Sequence, residues 1–483
     1  MDPITGTMAP NEAWQQLQDR QRSYYDNQEA VYGGKHALLA ATGQPGSFWR
    51  RGGKVKLHVP AAADITAVSA NLLLGKDARF SIFDASLGRT EECSQQRLDT
   101  IIRGNRLGLK LREAAELCSA YGDVFLKCRY DRQGTDMPMI DVVSAANAFP
   151  EYQMGKLQCI HFFTLLRQDR KTGRIWRVYE CYRPGRIETA VYQGDSGDLG
   201  REDWSALMEL GLETIALPPV KNILAAHIVN MRPSRICSDP DKGRSDFEGM
   251  RDMLDSLDEI YTGWMRDIRL AKSRLIVPAE FLRRNTADLF RGGSCTYEFD
   301  EDVETLVALD IGGDGAEQKI TPSQFAIRAQ EHASTFEMTL HSIISMSGYS
   351  PQTFGLDIQG IAQSGTARRI MEKKSLDTNA KKQQYWTAPL EAFMTAVMHL
   401  DRALYGNPTL HDDDSIRVEL QDPYTADVTD IAGTVNLLRS ARAASTATLV
   451  RMLHPSWTEK RITEEICAIQ AQSSDVKAVS GQP

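Results

Sequence analysis

No run of eighteen apolar residues occurs in the 483-residue sequence, so no membrane-spanning helix is expected. The first residues, MDPITGTMAPNEAW, lack the apolar centre of a secretory signal and read as a flexible polar leader. The eight cysteines (93, 118, 128, 159, 181, 237, 295 and 467) include no CxxC pair and no close histidine partner at metal-ligand spacing. They read as buried thiols in a reducing compartment. The nine histidines are dispersed without an HExxH pattern. There is no GxxxxGK[ST]; the YGGKH stretch at 32–36 lacks the upstream glycine and the hydroxyl after its lysine. Ser364 has Ala362 two residues before it, which excludes a nucleophile elbow. Asp412, Asp413 and Asp414 read as a solvated acidic turn. No catalytic, cofactor or metal residues are therefore expected, and no enzyme. A net charge of −8 argues against gripping nucleic acid with a globally basic surface. It leaves room for nucleic acid that slides past.

What is present is periodicity. A hydrophobic fraction of 42% and a charged fraction of 25% are ordinary for a globular chain of two to four domains. Residues 244–348 read as a helix, a compact β insertion and a second helix. Phe247, Met250, Leu254, Leu257, Tyr261, Trp264, Ile268, Ala271 and Leu275 alternate steps of three and four, a heptad seam. Ser245 and Glu248 are expected to form a capping box at its start. Thr321, Pro322 and Gln324 mark the start of the second helix, which carries Phe325, Ala329, His332, Phe336, Leu340 and Ile343 on one face until Gly348. The insertion is too small to bury its own core, so it needs neighbours, such as copies of the chain around an axis. An antiparallel helix pair within an ordinary core is the plainer reading of the same two helices.

The rest reads as α+β. Helices are expected at 11–43, from Asp64 to Leu74, and at 90–120, with a short strand at 78–83. From Asp123 the period falls to two, and strands at 124–130, 137–143, 157–168, 174–182 and 186–193 make a largely antiparallel sheet. After Gly348, the glycines and Pro351 keep 348–365 out of helix. A long helix with a kink at Pro389 follows, its first half basic through Arg368, Arg369, Lys373, Lys374, Lys381 and Lys382. That run suits either a solvated face or phosphate contact without base readout. The leading half of the first rod is acidic (Asp246, Glu248, Asp252, Asp255, Asp258, Glu259) and would repel DNA if it faced a passage.

Gly348-Tyr-Ser-Pro-Gln-Thr-Phe-Gly-Leu-Asp357, followed by Gln363-Ser-Gly-Thr-Ala-Arg368, resembles portal proteins of tailed double-stranded DNA bacteriophages. ANLLLGKDARF (70–80), the helix–insertion–helix and the helical C-terminus are similar too. The resemblance implies a portal fold: an α/β wing (1–243), stem helices (244–275 and 321–347) and a small β-rich clip (276–320). It further implies a tunnel loop (348–365), a long kinked helix (366–404), a wing return strand (405–424), a helical crown (425–471) and a disordered tail (472–483). It implies a homo-oligomeric ring, usually of twelve, at one capsid vertex. Such a ring passes double-stranded DNA without sequence specificity, and its partners would be the terminase large subunit, the major capsid or scaffolding protein and a head–tail adaptor. No membrane partner and no cofactor are implied. The expected location is the virion, with assembly in the host cytoplasm.

By the same resemblance Asp357, Ile358, Gln359, Gly360, Ile361, Ala362 and Gln363 would face the channel. Arg368, Arg369, Lys373 and Lys374 would meet phosphates. Phe247, Leu254, Trp264 and Phe336 would lie between subunits. The alternative is a coiled-coil scaffold or adaptor that binds protein partners through the heptad face.

Overall fold

The computed structural model describes residues 8–32, 49–51, 54–83, 92–130, 134–211, 214–216, 220, 222–235, 239–271, 274–276, 283–285, 296–298, 321–323, 327–356, 370–405, 415–421, 428–454 and 461–469. Its helices are α1 (Pro10–Tyr32), α2 (Ala61–Leu74), α3 (Glu92–Gly104), α4 (Leu107–Tyr121), α5 (Trp204–Glu209), α6 (Arg251–Leu270), α7 (Ala329–Ser347), α8 (Lys373–Tyr405), α9 (Val428–Ser440) and α10 (Thr446–Leu453). By its internal contacts the chain divides into two units. One comprises residues 1–33, 60–251 and 342–483, and the other residues 34–59 and 252–341.

The first unit is a mixed helix and sheet structure. Strands β6 (Ala148–Gln153), β7 (Lys156–Gln168), β8 (Ile175–Arg183), β9 (Arg186–Gly194) and β10 (Arg201–Glu202) form an antiparallel meander in sequence order, and β11 (Ile215–Ala216) adds to β9. The meander follows from short turns. Met154 and Gly155 both take positive φ, 50° and 77°, the combination a two-residue hairpin needs. Alternate residues then face opposite sides. Phe163, Tyr179 and Cys181 pack against Ala13, Trp14 and Leu17 of α1, while Trp176 and Val178 pack with Ala206 and Leu207 of α5. The helical spacing of Ala13, Leu17 and Tyr24 gives α1 the apolar stripe that covers the sheet.

A second sheet, β12 (Ala225–Val229), β4 (Asp123–Arg129) and β5 (Met139–Ser144), is antiparallel with β4 central. The alternation in β4 predicted one covered face, yet Asp123 through Cys128 are all buried. Both faces are covered, and the polar members are accommodated by partners: Lys127 pairs with Glu180 and Asp123 with His227. The close approach of Gly122 (φ 90°) and Gly243 makes this possible. A Cβ on Gly243 would lie 2.0 Å from the Gly122 carbonyl oxygen. The expected return strand is β17 (Ser415–Glu419), antiparallel to β3 (Arg79–Phe83).

Helix α8 buries Trp386, Leu390, Phe393, Val397 and Leu400 on one stripe and continues through Pro389. Its far end is fixed by Asp401, fully buried, which accepts from Arg97 Nε at 3.0 Å and Nη2 at 2.7 Å. In α9 and α10 only part of the expected apolar face is covered. Leu449 is buried, Val435 and Leu438 are half-buried, and Met452 and Leu453 are exposed.

The second unit holds most of α6 and α7 with paired short strands: β1 (Trp49–Arg51) with β2 (Lys54–Lys56), β13 (Arg274–Ile276) with β16 (Thr321–Ser323), and β14 (Arg283–Asn285) with β15 (Thr296–Glu298). Two expected helix starts are not used. Thr321-Pro322-Ser323 is the strand β16, and the second helix begins at Ala329. Glu248 accepts from the Ser234 hydroxyl and the Arg235 amide, and the helix begins at Arg251 beyond Gly249 at φ 79°. Positive φ at Gly249 is incompatible with helix, which explains the later start.

Candidate functional site

Three pieces of the first unit adjoin the segments singled out in the sequence: the chain entering α6, the chain leaving α7, and the start of α8. In the first unit these meet at one carboxylate. Asp246 Oδ2 accepts from Lys382 Nζ at 2.6 Å, Ser119 Oγ at 2.5 Å and Tyr349 OH at 3.0 Å, and Oδ1 accepts from Asn230 Nδ2 at 2.8 Å. Lys382 Nζ also donates to Ser69 Oγ at 2.6 Å and lies 5.5 Å from the Tyr349 ring centre. Side-chain exposure is 1% for Lys382 and 0% for Asp246. α2, α4, β12, α8, the lead into α6 and the exit of α7 are therefore tied at one buried ion pair.

Such a pair needs full hydrogen bonding to survive burial. It has it. Burial opposes the charge on Asp246, but Lys382 foremost, with Ser119 and Asn230, outweighs it and holds the carboxyl below its ordinary range. Burial pulls the Lys382 ammonium below its ordinary value, and Asp246 counters this.

A second set of bonds laces the exit of α7 to the first turns of α8. Thr378 Oγ1 donates to the Gly348 carbonyl at 2.7 Å, the Ser350 amide donates to Ser375 Oγ at 2.9 Å, and Thr353 and Ser375 hydroxyls lie 2.7 Å apart. Lys374 Nζ donates to Ser345 Oγ at 3.0 Å. Gly348 has φ 96°, the left-handed value that ends α7, and Gly355 (φ 76°) closes the 3-10 turn Pro351–Phe354. This polar clasp therefore ties the chain just before residue 357 to the chain just after residue 369.

Asp357, Ile358, Gln359, Gly360, Ile361, Ala362, Gln363, Arg368 and Arg369 lie outside the described residues. Lys373 and Lys374 are exposed. Lys382 and Asp246 are withdrawn from the basic and acidic faces to which the sequence reading assigned them. Asp258 is withdrawn as well: it is 4% exposed and accepts from the Val59 amide at 2.8 Å, with His58 Nδ1 at 2.9 Å. Of the four expected interface residues, Phe247 (3% exposed) and Leu254 (7%) are covered within the chain. Trp264 and Phe336 remain half-buried. Trp264 stacks on His332 with ring centres 6.3 Å apart and planes 7° apart, and Tyr261 meets Phe336 at 6.1 Å. Asp267 joins the same helices through Arg328 Nη2 at 2.8 Å and His332 Nε2 at 2.9 Å.

The clasp residues escaped the sequence reading, although a signal existed. Ser375, Thr378, Asn379 and Lys382 extend the stripe of Trp386, Leu390 and Phe393 toward the helix start at the same spacing. Polar residues on an apolar stripe are the ones that must find buried partners.

Fold and junction together define an α+β protein in which the chain before α6, the chain after α7 and helix α8 meet at one buried ion pair. A sequence model of the family described as phage portal protein, SPP1 Gp6-like, matches residues 14–478, and the chain belongs to that family. Among solved structures, the chain is similar to one from the neck of a native GTA particle computed with C12 symmetry. The two share 12% identity over 87% of this chain and 98% of that chain, with a TM-score of 0.39. It is also similar to a chain from the neck of an empty GTA particle computed with C6 symmetry, at 12% identity over 86% and 97%, TM-score 0.42. No curated protein matches the sequence.

Proposed function

We propose that this chain is the subunit of a portal ring, a homo-oligomer of about twelve copies, the number the family resemblance implies. The ring sits at one vertex of a capsid and forms the channel through which double-stranded DNA enters and leaves. In this reading residues 1–243 form the wing, α6 and α7 form the stem, residues 276–320 with β14 and β15 form the clip, and α9 and α10 contribute to the crown. Residues 357–363 are the part of each subunit that meets DNA, and Arg368, Arg369, Lys373 and Lys374 offer charge to the phosphates. The large terminase subunit supplies the motor, the capsid or scaffolding protein surrounds the ring, and a head–tail adaptor meets the clip.

Family membership across residues 14–478 carries this reading. The clasp at Gly348–Thr378 and Ser350–Ser375 adds a physical reason: an excursion that must bear on moving DNA needs a root that does not yield. Exposed apolar side chains on and beside the two helices, Ile268, Leu270, Ile327 and Met338, give neighbouring copies something to cover. Purified protein examined by electron microscopy and native mass measurement tests it. Closed rings are expected. A dimer or trimer would favour the coiled-coil adaptor instead.

A further inference from the structure

In the first unit, four potential metal ligands converge on the α1-facing side of the large sheet. Cys159 and His161 are two apart on β7, so their side chains share a face. Register sets Glu151 of β6 opposite Cys159, and Cys181 of β8 opposite His161. Cys159 Sγ lies 3.3 Å from His161 Nε2 and 3.2 Å from Glu151 Oε2, and His161 Nε2 lies 3.3 Å from the same carboxylate oxygen. The donor atoms of Cys159, His161 and Cys181 all fall within 4.8 Å of one another. Both thiols and the imidazole are fully buried, and Glu151 is 11% exposed. The sequence reading found no CxxC pair and no close histidine partner at metal-ligand spacing and took these cysteines as buried thiols; the strand register is what sets Cys181 and Glu151 beside Cys159 and His161.

We propose that Glu151, Cys159, His161 and Cys181 form a structural Zn²⁺ site that staples three strands of the sheet beneath α1. Zinc–sulfur bonds of about 2.3 Å and zinc–nitrogen or zinc–oxygen bonds of about 2.0–2.1 Å put neighbouring ligands of a tetrahedron roughly 3.3–3.8 Å apart. The observed 3.2–3.3 Å separations need only slight expansion to admit the ion. Two thiolates, an imidazole and one carboxylate suit zinc better than the hard, oxygen-seeking Ca²⁺ or Mg²⁺.

The surroundings are those of a structural site. His161 Nδ1 lies 2.9 Å from the Tyr179 hydroxyl, which fixes the ring and leaves Nε2 for the metal. The Met8 amide donates to Glu151 Oε2 at 3.0 Å, and Arg183 Nε donates to Cys181 Sγ at 3.4 Å. With both thiols and the carboxyl ionised, the three negative ligands and Zn²⁺ leave one negative charge, which Arg183 balances. The two thiol protons pass to solvent on binding. Trp14, Leu17, Phe149, Phe163 and Leu199 share one core cluster with both cysteines, and four protein ligands fill a tetrahedral ion without water.

Metal analysis of the full-length protein, purified under reducing conditions without chelator and gel-filtered after addition of Zn²⁺, tests this. About one zinc per chain is expected, falling about tenfold or more in Cys159→Ser and Cys181→Ser and staying unchanged in Cys467→Ser. Should the two site variants fail to fold, the wild-type protein loaded with Co²⁺ decides. A thiolate-to-cobalt charge-transfer band with tetrahedral d–d absorption supports the site, and its absence overturns it. Wild-type protein without retained zinc overturns the proposal. So does a Cys159–Cys181 disulfide found by mass, or a zinc content indifferent to both serine substitutions.

Discussion

Lys382 Nζ donates to Asp246 Oδ2 at 2.6 Å across 136 residues of sequence, and neither side chain reaches solvent. The pair joins the segment that enters one long helix to the helix that leaves the clasped excursion. Removing one member leaves the other charged and buried. Asp246→Ala is therefore expected to destabilise the protein by about 3–5 kcal/mol. In the double variant Asp246→Leu with Lys382→Met no charge is stranded. Ser69, Ser119, Asn230 and Tyr349 still lose a partner, each at about 1 kcal/mol, so recovery will be partial. Chemical denaturation of the wild type, Asp246→Leu, Lys382→Met and the double variant measures the coupling; simple additivity of the two losses would refute it.

The same carboxylate sets a pH dependence. Asp246 and Asp123 both sit below their ordinary values. For each, burial is opposed and outweighed, by Lys382 for Asp246 and by His227 for Asp123. A carboxyl depressed in the native state contributes stability above its unfolded value, about 3.9, and loses it as pH falls through the native value. Lys382, depressed by burial, acts at the alkaline end, where stability rises between its native and unfolded values, so it adds nothing to the acid loss. Thermal melts between pH 6 and pH 2 (about the span of carboxylate titration) should show a steep fall below about pH 4 that is shallower in Asp246→Asn. An equally steep fall in that variant would remove Asp246 from the explanation.

What the sequence revealed, and what it hid, divides along the range of the interactions. The meander was legible because its turns are local: Lys171-Thr172-Gly173 and Pro184-Gly185 bound strands that the structure also forms. The α+β class followed from the change of period at Asp123. The residues of the Asp246 junction were not legible, because their partners lie between 16 and 313 residues apart along the chain counted pair by pair. Asp246 read as an ordinary first-turn acid of a helix and Lys382 as one of several surface lysines. Thr321-Pro322 is a good helix start by local rules, yet pairing with Arg274–Ile276 overrides it.

The half-buried aromatics of α6 and α7 separate assembly from folding. Trp264→Asp removes a stack with His332, a contact worth about 0.5–1.5 kcal/mol, and leaves the covered seam of Phe247, Leu254 and Leu257 intact. The variant should fold, with helical content near wild type by circular dichroism, and fail to form rings by electron microscopy. Phe247→Asp places a charge at a site 3% exposed and should unfold the chain before assembly is in question. Rings formed normally by Trp264→Asp would discard this part of the interface.

The clasped excursion makes the most direct functional prediction. Because Gly348–Thr378 and Ser350–Ser375 hold its root, the tip can be removed without disturbing what anchors it. Deleting 357–363 should leave ring formation and thermal stability near wild type while sharply reducing DNA packaged or retained per particle. Thr378→Val should do the converse in small measure. It loses one hydrogen bond to the Gly348 carbonyl, about 1 kcal/mol, and loosens the root while the tip remains intact. If the excursion bears on DNA, the deletion lowers DNA content far more than Thr378→Val does, although only Thr378→Val lowers stability. Particles filled normally by the deleted protein would mean that DNA is steered by other parts of the chain.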